Sequence, residues 1–377
     1  MKVAIQTSDL DHSRIDGTRV YLRELLKRFA SISPDTDFTL YHKGTYNPVL
    51  APPEAPNYTA VSLPFPWAWM QTRFALELAL HRPDKLFLPI QAAPVIMPGS
   101  IEVTATIHDL AFRRFPETFP RQHLRKLNFM LETAVKRADK LIAVSESTKR
   151  DLLEFFPALP ESRVQVIHHG FDAEFFGMRA SDEVLAPKLR SYNLKAKSYV
   201  LYVGALQPRK NLVRLIEAFE IMKQSVPEAK LVLAGEEAWL AETIIQAWEE
   251  SPYRDDIVLP GRVSFETLRM LYQGARFFAF PSLYEGFGLP ILEAFASGIP
   301  VLTAENSSLS EVAGDGALYC QATDTADMAR KLEQLWHDEA LRQDLVERGT
   351  ARLAHFSWDR CAEETLHFIL DKNTKLS

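Results

Sequence analysis

The chain has 377 residues and a formal net charge of −6, with 47% hydrophobic and 24% charged residues. This length exceeds the size at which a single hydrophobic core keeps growing, so we expect two domains. The negative charge argues against nucleic-acid binding by the whole chain, because phosphate neutralisation needs a surplus of Lys and Arg. The two cysteines, Cys320 and Cys361, indicate neither a disulfide framework nor a thiolate metal site.

The sequence carries no sign of a secretion signal or of a membrane span. Residues 1–6 turn polar at once and lack the long apolar core of a signal peptide. No apolar run reaches the roughly 20 residues that a bilayer-spanning helix needs. We therefore expect a cytoplasmic protein whose membrane contact is limited to its surface, at the inner face of the plasma membrane.

The first half of the chain alternates short apolar runs with amphipathic stretches. Apolar runs of this length predict buried strands, and apolar residues at helical spacing predict helices. The predicted strands lie at 3–6, 38–41, 86–88, 103–107, 141–144 and 164–167. The predicted helices lie at 22–29, 121–137 and 146–156.

The second half repeats this alternation. Its predicted strands lie at 199–203, 231–234, 257–259 and 277–280, and its predicted helices at 212–222, 238–250 and 265–274. Continuous apolar strands that alternate with helices indicate a parallel sheet covered on both faces. We therefore predict an α/β protein with two Rossmann-like domains and a cleft between them.

The domain ranges follow from this pattern. Residues 172–198 are mixed, polar and weakly periodic, so we predict the linker there. The first domain is predicted at 1–172, the second at 173–355, and a C-terminal helix at 356–377 that packs back on the first domain. No GxGxxG motif follows a strand, which disfavours a nicotinamide or flavin cofactor. Ligands of such sheets bind beyond the carboxyl ends of the strands.

A glycine loop follows the last predicted strand of the second half. Gly286 and Gly288 allow backbone amides to approach a ligand closely, and the next helix begins with unpaired amides in a positive end of its dipole, which suits a phosphate. Glu285 lies in the loop and Glu293 in the first helical turn. This pair of carboxylates suits a molecule that carries both phosphates and hydroxyls. The alternative is an ordinary strand-to-helix turn with a glutamate near the helix start.

The segment 280–296 strongly resembles the signature of retaining glycosyltransferases of family 4, which have the GT-B fold and two glutamates separated by seven residues. The resemblance extends over nearly the whole chain. It implies that Glu285 contacts hydroxyls of the donor sugar and that Glu293 holds the ribose of the nucleotide. The backbone amides that would meet sugar and diphosphate are those of Gly286, Phe287, Gly288 and Leu289.

A second loop places two cations, Arg209 and Lys210, at a helix start. Two positive charges there oppose the helix dipole unless an anion bridges them, and a diphosphate is such an anion. The family carries a basic pair at this place that neutralises the leaving diphosphate. Many members also have an arginine where this chain has Ala205, which leaves open whether Arg209 takes over its role. The alternative is a solvated pair of surface cations.

Two residues of the first half match further family positions. His108 follows a predicted strand, and the family has a histidine there that meets the donor sugar near the reacting centre; Asp109 could orient its ring. Gly17 lies in a loop that the resemblance implies closes on the diphosphate and the acceptor. His168 and His169 replace a different family pattern and receive no catalytic role.

The resemblance implies transfer with retention of configuration, in which the donor phosphate accepts the proton of the acceptor. No protein nucleophile and no metal are then required. The stretch Asp9-Leu10-Asp11 formally spells a metal-binding motif, but it falls in the first loop and we assign it no metal.

Residues 113–150 contain ten Lys or Arg and four Asp or Glu, about +6 in a chain of −6. This excess suits an anionic membrane surface or a lipid diphosphate acceptor. The neighbouring apolar residues are Phe115, Phe119, Leu127, Phe129 and Met130, and the segment 63–70 adds aromatic side chains of the interfacial kind. A solvated helix face with core aromatic residues is an equally weighted alternative.

Taken together, the motifs of the chain most resemble those of bacterial mannosyltransferases that build surface polysaccharides such as lipopolysaccharide. GDP-mannose is therefore the first expected donor substrate and UDP-glucose the second, with a glycan or lipid-linked acceptor and no separate cofactor. Two alternatives share the fold. A nucleotide-sugar epimerase would lack an acceptor surface, and a non-catalytic nucleotide-sugar binding subunit would show no turnover.

Overall fold

A computed structural model of the chain describes residues 1–371, which form two compact units. The first unit contains Met1–Leu110, Gln122–Gly170 and the described residues from Phe356 to Asp371. The second contains Ala111–Arg121 and Phe171–His355. The sequence pattern predicted residues 111–121 in the first domain, whereas their contacts place them in the second unit.

The strands form a continuous alternation with helices in each unit. They are, in chain order, β1 (Lys2–Gln6), β2 (Asp37–His42), β3 (Tyr58–Ser62), β4 (Lys85–Leu88), β5 (Glu102–Ile107), β6 (Lys140–Ala143), β7 (Val164–Val166), β8 (Tyr199–Val203), β9 (Lys230–Ala234), β10 (Ile257–Gly261), β11 (Phe277–Phe280), β12 (Val301–Ala304) and β13 (Ala317–Cys320).

Within residues 1–371, these strands form one sheet in each unit. The first has the order β3-β2-β1-β4-β5-β6-β7, and the second has the order β10-β9-β8-β11-β12-β13. All pairs are parallel, with Val3 opposite Phe38 and Phe278 opposite Val301 as examples of the register. The central strands are buried throughout, which explains their unbroken apolar sequences. The predicted pair of parallel α/β domains is confirmed.

The helices cover both sheets. They are α1 (Gly17–Ile32), α2 (Arg73–His81), α3 (Ala111–Arg114), α4 (Arg121–Arg137), α5 (Glu146–Phe155), α6 (Ala173–Gly177), α7 (Asp182–Arg190), α8 (Leu212–Ser225), α9 (Glu242–Glu250), α10 (Phe265–Gly274), α11 (Leu289–Ala296), α12 (Leu309–Ala313), α13 (Thr325–His337), α14 (Glu339–Arg352) and α15 (Trp358–Leu370). None of the helices in this part of the chain is long and apolar enough to cross a membrane.

The stretch predicted as a linker is helical over much of its length. Helix α7 lies within it and buries Leu185 and Leu189 against α10. Gly274 allows this close packing, since a Cβ there would come within 2.7 Å of a methyl group of Leu189. The prediction failed because two leucines in nine residues give a weak periodic signal, while tertiary packing supplies the stabilisation that the local pattern does not indicate.

Helix α15 returns to the first unit and packs against α1. A buried cluster fixes its end: the Glu102 carboxylate lies 2.9 Å from Lys85 Nζ and 2.8 Å from Lys140 Nζ. The Lys140 ammonium also donates to the carbonyls of Phe368 and Asp371. Cations at the last carbonyls of a helix complement its dipole. We call Lys85, Glu102 and Lys140 the helix-anchoring triad.

Candidate active site

Two loops of the second unit meet at the carboxyl edge of its sheet. One follows β8 and the other follows β11, and these two strands are neighbours in the sheet. The first loop contains a short turn of 3₁₀ helix, Pro208–Lys210, that carries two cations. The second loop contains Glu285. Ligands of parallel α/β sheets bind at this edge, so both loops lie where a ligand is expected.

The side chains of Arg209, Lys210 and Glu285 form one buried ionic cluster, which we call the cation site. Arg209 Nη1 donates to Glu285 Oε2 at 2.9 Å, and Lys210 Nζ donates to Glu285 Oε1 at 2.5 Å. Arg209 Nη1 also donates to the carbonyl of Tyr284. The three residues are only 8%, 9% and 8% exposed. The alternative of a solvated pair of surface cations is therefore wrong, and burial agrees with the favoured interpretation of two cations held beside an anion.

The sequence pattern demanded an anion between the two cations, and the structure places the Glu285 carboxylate there. Burial alone would raise the pKa of Glu285, but the charges of Lys210 and Arg209 outweigh burial and lower it to about 2. Glu285 is therefore ionised across the physiological range. It can only accept hydrogen bonds in this state, from the cations or from hydroxyl groups of a ligand.

Asn211 holds the cation loop in place. It adopts a left-handed conformation with φ 63° and ψ 32°, which asparagine tolerates better than most residues. Its side-chain amide donates to the carbonyls of Pro281 and Ala322, at 3.0 and 2.6 Å. The backbone amide of Leu283 donates to the carbonyl of Arg209 at 2.9 Å. These bonds fix the two loops to each other.

Two serines hold the backbone of the glycine loop. The amide of Glu285 donates to Ser307 Oγ at 3.0 Å. Ser308 Oγ lies 2.9 Å from the Glu285 carbonyl and 2.8 Å from that of Phe287. Gly288 has φ +116°, a conformation that favours glycine, and α11 begins directly after it at Leu289. The predicted strand–loop–helix unit is therefore present, with its start defined by Gly288.

Glu293 lies in α11, and its pKa is set by burial and by Tyr272, not by the cations of the cation site. Tyr272 Oη donates to Glu293 Oε2 at 2.9 Å. The side chain keeps partial access to solvent, yet burial of the carboxyl group raises its pKa to about 7, against the opposing effect of the Tyr272 hydrogen bond. The pKa of Glu285 in the loop is therefore lowered, whereas the pKa of Glu293 in the helix that follows is raised.

His108 of the first unit lies directly after β5. Its Nε2 is 2.7 Å from the carbonyl of Pro89, so Nε2 carries a proton and Nδ1 of the neutral ring is an acceptor. Burial lowers the pKa of His108 and keeps the ring neutral. The ring packs edge-on against Tyr21, which stacks on His169 at 4.7 Å between ring centres. His169 thus packs within this aromatic cluster. No catalytic role was predicted for it from the sequence.

Gly17 is the first residue of α1, and it is exposed. Asp16 caps this helix, since its carboxylate accepts from the amide of Arg19 at 3.3 Å and forms an ion pair with the Arg19 side chain. The helix start that the sequence pattern offered to a diphosphate thus already has a carboxylate beside it. The structure brings Gly17 to the predicted loop–helix junction, but with this internal anion at the helix end.

An open cavity of about 640 Å³ lies at the carboxyl edge of the first sheet. Its walls are formed by Ser8, Asp11 and His12, by residues 43–45 and by residues 64–66, which follow the adjacent strands β1, β2 and β3. Asp11 accepts the amides of Lys43 and Gly44 at 2.8 and 2.7 Å and so shapes one wall. Phe65 with its flanking prolines supplies an apolar wall. A cavity with one apolar and one polar side suits a sugar ring.

The basic segment 113–150 is divided between the two units. Its first part belongs to the second unit, where Phe115 packs against Tyr284 and Phe119 packs against Trp239. These two phenylalanines are therefore not interfacial, and the same holds for the buried Trp69 in the segment 63–70. Lys140 is buried in the helix-anchoring triad.

An exposed basic face remains on α4. Arg125, Lys126 and Lys136 are exposed there, together with Phe129, which is 49% exposed. Trp67 of the segment 63–70 is 68% exposed. Part of the predicted basic and aromatic surface is thus present on the first unit.

Comparison with known proteins identifies the family. Residues 15–175 match the family model described as Glycosyltransferase Family 4, and residues 188–352 match Glycosyl transferases group 1. The chain is 31% identical over 273 residues to the O-antigen chain mannosyltransferase B of Escherichia coli, covering 72% of this chain and 71% of that protein. The chain belongs to the GT-B glycosyltransferases.

Further relatives agree with this assignment. The chain is 30% identical over 244 residues to the serotype-specific mannosyltransferase WbdA of Escherichia coli, covering 64% of this chain and 29% of that longer protein. Among solved structures, Anabaena HepE in complex with UDP and glucose has a TM-score of 0.75 at 16% identity, with 98% of this chain and 99% of that chain covered. The GT-B fold predicted from the sequence is confirmed.

Several residues that hold this candidate site in place received no role in the sequence analysis. Asn211 directly follows the two cations, and its position before an apolar helix was an available signal. Ser307 and Ser308 lie 22 and 23 positions beyond Glu285, and Tyr272 lies in α10. Their contacts with the site depend on sheet topology, which a local motif does not encode.

Proposed function

We propose that this glycosyltransferase transfers a hexosyl residue, with mannose favoured, from a nucleoside-diphosphate sugar to a glycan or lipid-linked acceptor of bacterial surface polysaccharide. The observation that carries the proposal is the cation site, in which two buried cations lie at the carboxyl edge of a parallel sheet. The names of the mannosyltransferase relatives favour GDP-mannose as the donor, and UDP-glucose is the second candidate.

In this proposal the donor binds the second unit. Arg209 and Lys210 neutralise the charge that develops on the leaving diphosphate, which is the group whose stabilisation lowers the barrier most. The backbone from Gly286 to Leu289 faces sugar and phosphate. Glu293 accepts hydrogen bonds from the ribose hydroxyls, and Glu285 accepts them from hydroxyls of the sugar.

We further propose that transfer retains the anomeric configuration and places the enzyme in family 4 of the retaining class. The acceptor oxygen attacks the anomeric carbon on the face from which the diphosphate leaves. The bond from carbon to phosphate oxygen breaks, the bond to the acceptor oxygen forms, and a phosphate oxygen takes the acceptor proton. We assign His108 a role in this step, for which its neutral ring and acceptor Nδ1 are suited.

The first unit is proposed to bind the acceptor in the cavity bounded by Ser8, Asp11 and His12 and by residues 43–45 and 64–66. Phe65 would face the apolar side of a sugar ring, and the polar wall would bind its hydroxyls. The exposed basic face of α4 suits an anionic membrane surface, on which a lipid-linked acceptor resides. We therefore propose a cytoplasmic enzyme that associates peripherally with the membrane.

The proposal is tested by incubation with GDP-mannose or UDP-glucose and an alkyl mannoside acceptor. We expect GDP release together with an α-linked disaccharide. The anomeric configuration is identified by nuclear magnetic resonance from the one-bond coupling between C1 and H1. Conversion of the donor into another nucleotide sugar without use of the acceptor would indicate an epimerase instead. Binding of the donor without any turnover would indicate a binding subunit.

A further inference from the structure

Glu285 occupies the place in which a ligand anion would meet both cations. Its two carboxylate oxygens are divided between Arg209 Nη1 and Lys210 Nζ, at 2.9 and 2.5 Å. A diphosphate that binds these cations must therefore compete with a carboxylate of the protein itself. The proposed function assigns sugar hydroxyls to Glu285, and this assignment does not account for its position between the cations.

We propose that Glu285 is an internal counter-ion of the cation site, which a donor diphosphate displaces and thereby frees to accept hydrogen bonds from the donor sugar. This inference rests on the proposed function, because it concerns the same donor site. Two buried positive side chains without an anion would destabilise the folded unit. A carboxylate between them removes that cost before the ligand arrives.

The loop is built so that such an exchange needs only a side-chain rotation. Hydrogen bonds fix the backbone of Glu285 on both sides. Its N–H donates to Ser307 Oγ, and its carbonyl accepts from Ser308 Oγ. The loop can therefore keep its shape while the carboxylate leaves the cations. A diphosphate can replace both ionic hydrogen bonds, since its oxygens accept from guanidinium and ammonium groups alike.

If Glu285 is an internal counter-ion, replacing it should raise the affinity for a nucleoside diphosphate, whereas replacing a residue that only contacts the ligand should not. Glu285→Gln keeps the size of the side chain and removes the competing charge, so a nucleoside diphosphate without a sugar should bind more tightly. The complete nucleotide sugar should gain less affinity, because the variant also loses an ionised acceptor for the sugar hydroxyls. A residue that only contacts the ligand would weaken binding of the sugar nucleotide and leave the nucleoside diphosphate unchanged.

The test is isothermal titration of GDP and UDP into wild-type protein and Glu285→Gln. The matched control is Glu102→Gln, which removes a carboxylate from between two cations in the other unit. We expect at least fivefold tighter binding of the preferred nucleotide to Glu285→Gln, with a steeper salt dependence, and unchanged binding to Glu102→Gln. Equal or weaker binding to a folded Glu285→Gln protein would overturn the inference.

Glu285→Asp serves if the glutamine variant does not fold. Its shorter side chain keeps the charge but reaches the two cations less well, so GDP should again bind more tightly than to wild type, and equal or weaker binding would overturn the inference. Lys210→Ala separates this test from the proposed function. If it abolishes GDP binding while neither Glu285 variant binds more tightly, only the inference fails. If wild-type protein binds neither nucleotide, both fail.

Discussion

The two units each contain a carboxylate held between two buried cations, and the two clusters differ in position. The helix-anchoring triad lies at the amino ends of β4, β5 and β6, and Lys140 there also donates to the last carbonyls of α15. The cation site lies at the carboxyl ends of β8 and β11. Similar chemistry thus anchors a helix at the amino edge of the first sheet and lies at the carboxyl edge of the second, the edge at which parallel α/β sheets bind ligands.

The first prediction concerns the helix-anchoring triad and has the largest expected effect. Lys140→Met leaves Glu102 with one cation, and it removes two hydrogen bonds to carbonyls at the end of α15. Breaking a buried ion pair costs about 3 to 5 kcal/mol, so the free energy of unfolding in urea should fall by about 3 kcal/mol. Nucleotide affinity at 10 °C should stay unchanged. A loss of nucleotide binding in the folded variant would show that the two clusters are not separate in function.

The second prediction concerns the cation site. Lys210→Ala should weaken binding of a nucleoside diphosphate by about 1.5 to 3 kcal/mol, the scale of a charge-assisted hydrogen bond. Calorimetry measures this change, and Lys140→Met serves as the control for loss of a buried lysine. Unchanged affinity in Lys210→Ala would remove the proposed role of this lysine.

The third prediction uses the pKa of Glu293, about 7 in the folded protein. Ribose hydroxyls donate more strongly to the ionised carboxylate, so nucleotide-sugar affinity should fall as the pH is lowered from 8 to 6 and Glu293 takes up a proton. The expected decrease is up to about tenfold, or ~1.4 kcal/mol. Glu293→Gln should remove this dependence, and a profile that stays the same in the variant would contradict the assignment.

A nucleotide sugar is the appropriate ligand for that profile, because its phosphates do not titrate in this range as a terminal phosphate does. Tyr272→Phe supplies a second comparison. It removes the hydrogen bond that favours the ionised form of Glu293, so the midpoint of the pH profile should move upward.

The fourth and smallest effect is expected at the basic face of α4. Arg125→Gln should weaken binding to anionic vesicles by about 1 kcal/mol, and salt should release the wild-type protein. Arg190→Gln in α7 is the charge-matched control and should bind as wild type does. Co-sedimentation measures the bound fraction; equal binding to neutral and anionic vesicles would favour a solvated helix face.

The contrast between the two clusters also explains what the sequence could reveal. Most strands of both sheets were predicted, because strands buried on both faces have unbroken apolar sequences. The glycine loop, Arg209 and Lys210 were predictable because they follow such strands directly. Strands β3, β12 and β13 were missed, as were helices that include α2, α13 and α14. Strand β3 lies at a sheet edge and is mostly exposed.

The partner of the cations was not predictable from spacing alone. Glu285 and Lys210 are 75 positions apart, and only the adjacency of β8 and β11 brings them together. The helix-anchoring triad was missed for the same reason, because its members come from three strands and its acceptors from the end of α15. Local patterns identify which residues carry charge, whereas topology decides which charges meet.

We have proposed that Arg209 and Lys210 bind the diphosphate of a nucleotide-sugar donor. A crystal structure of the protein with GDP or UDP tests it most directly. We expect phosphate oxygens within hydrogen-bond distance of Lys210 Nζ and Arg209 Nη1, with the Glu285 carboxylate turned away from them. Phosphates bound elsewhere, with Glu285 still between the two cations, would contradict it.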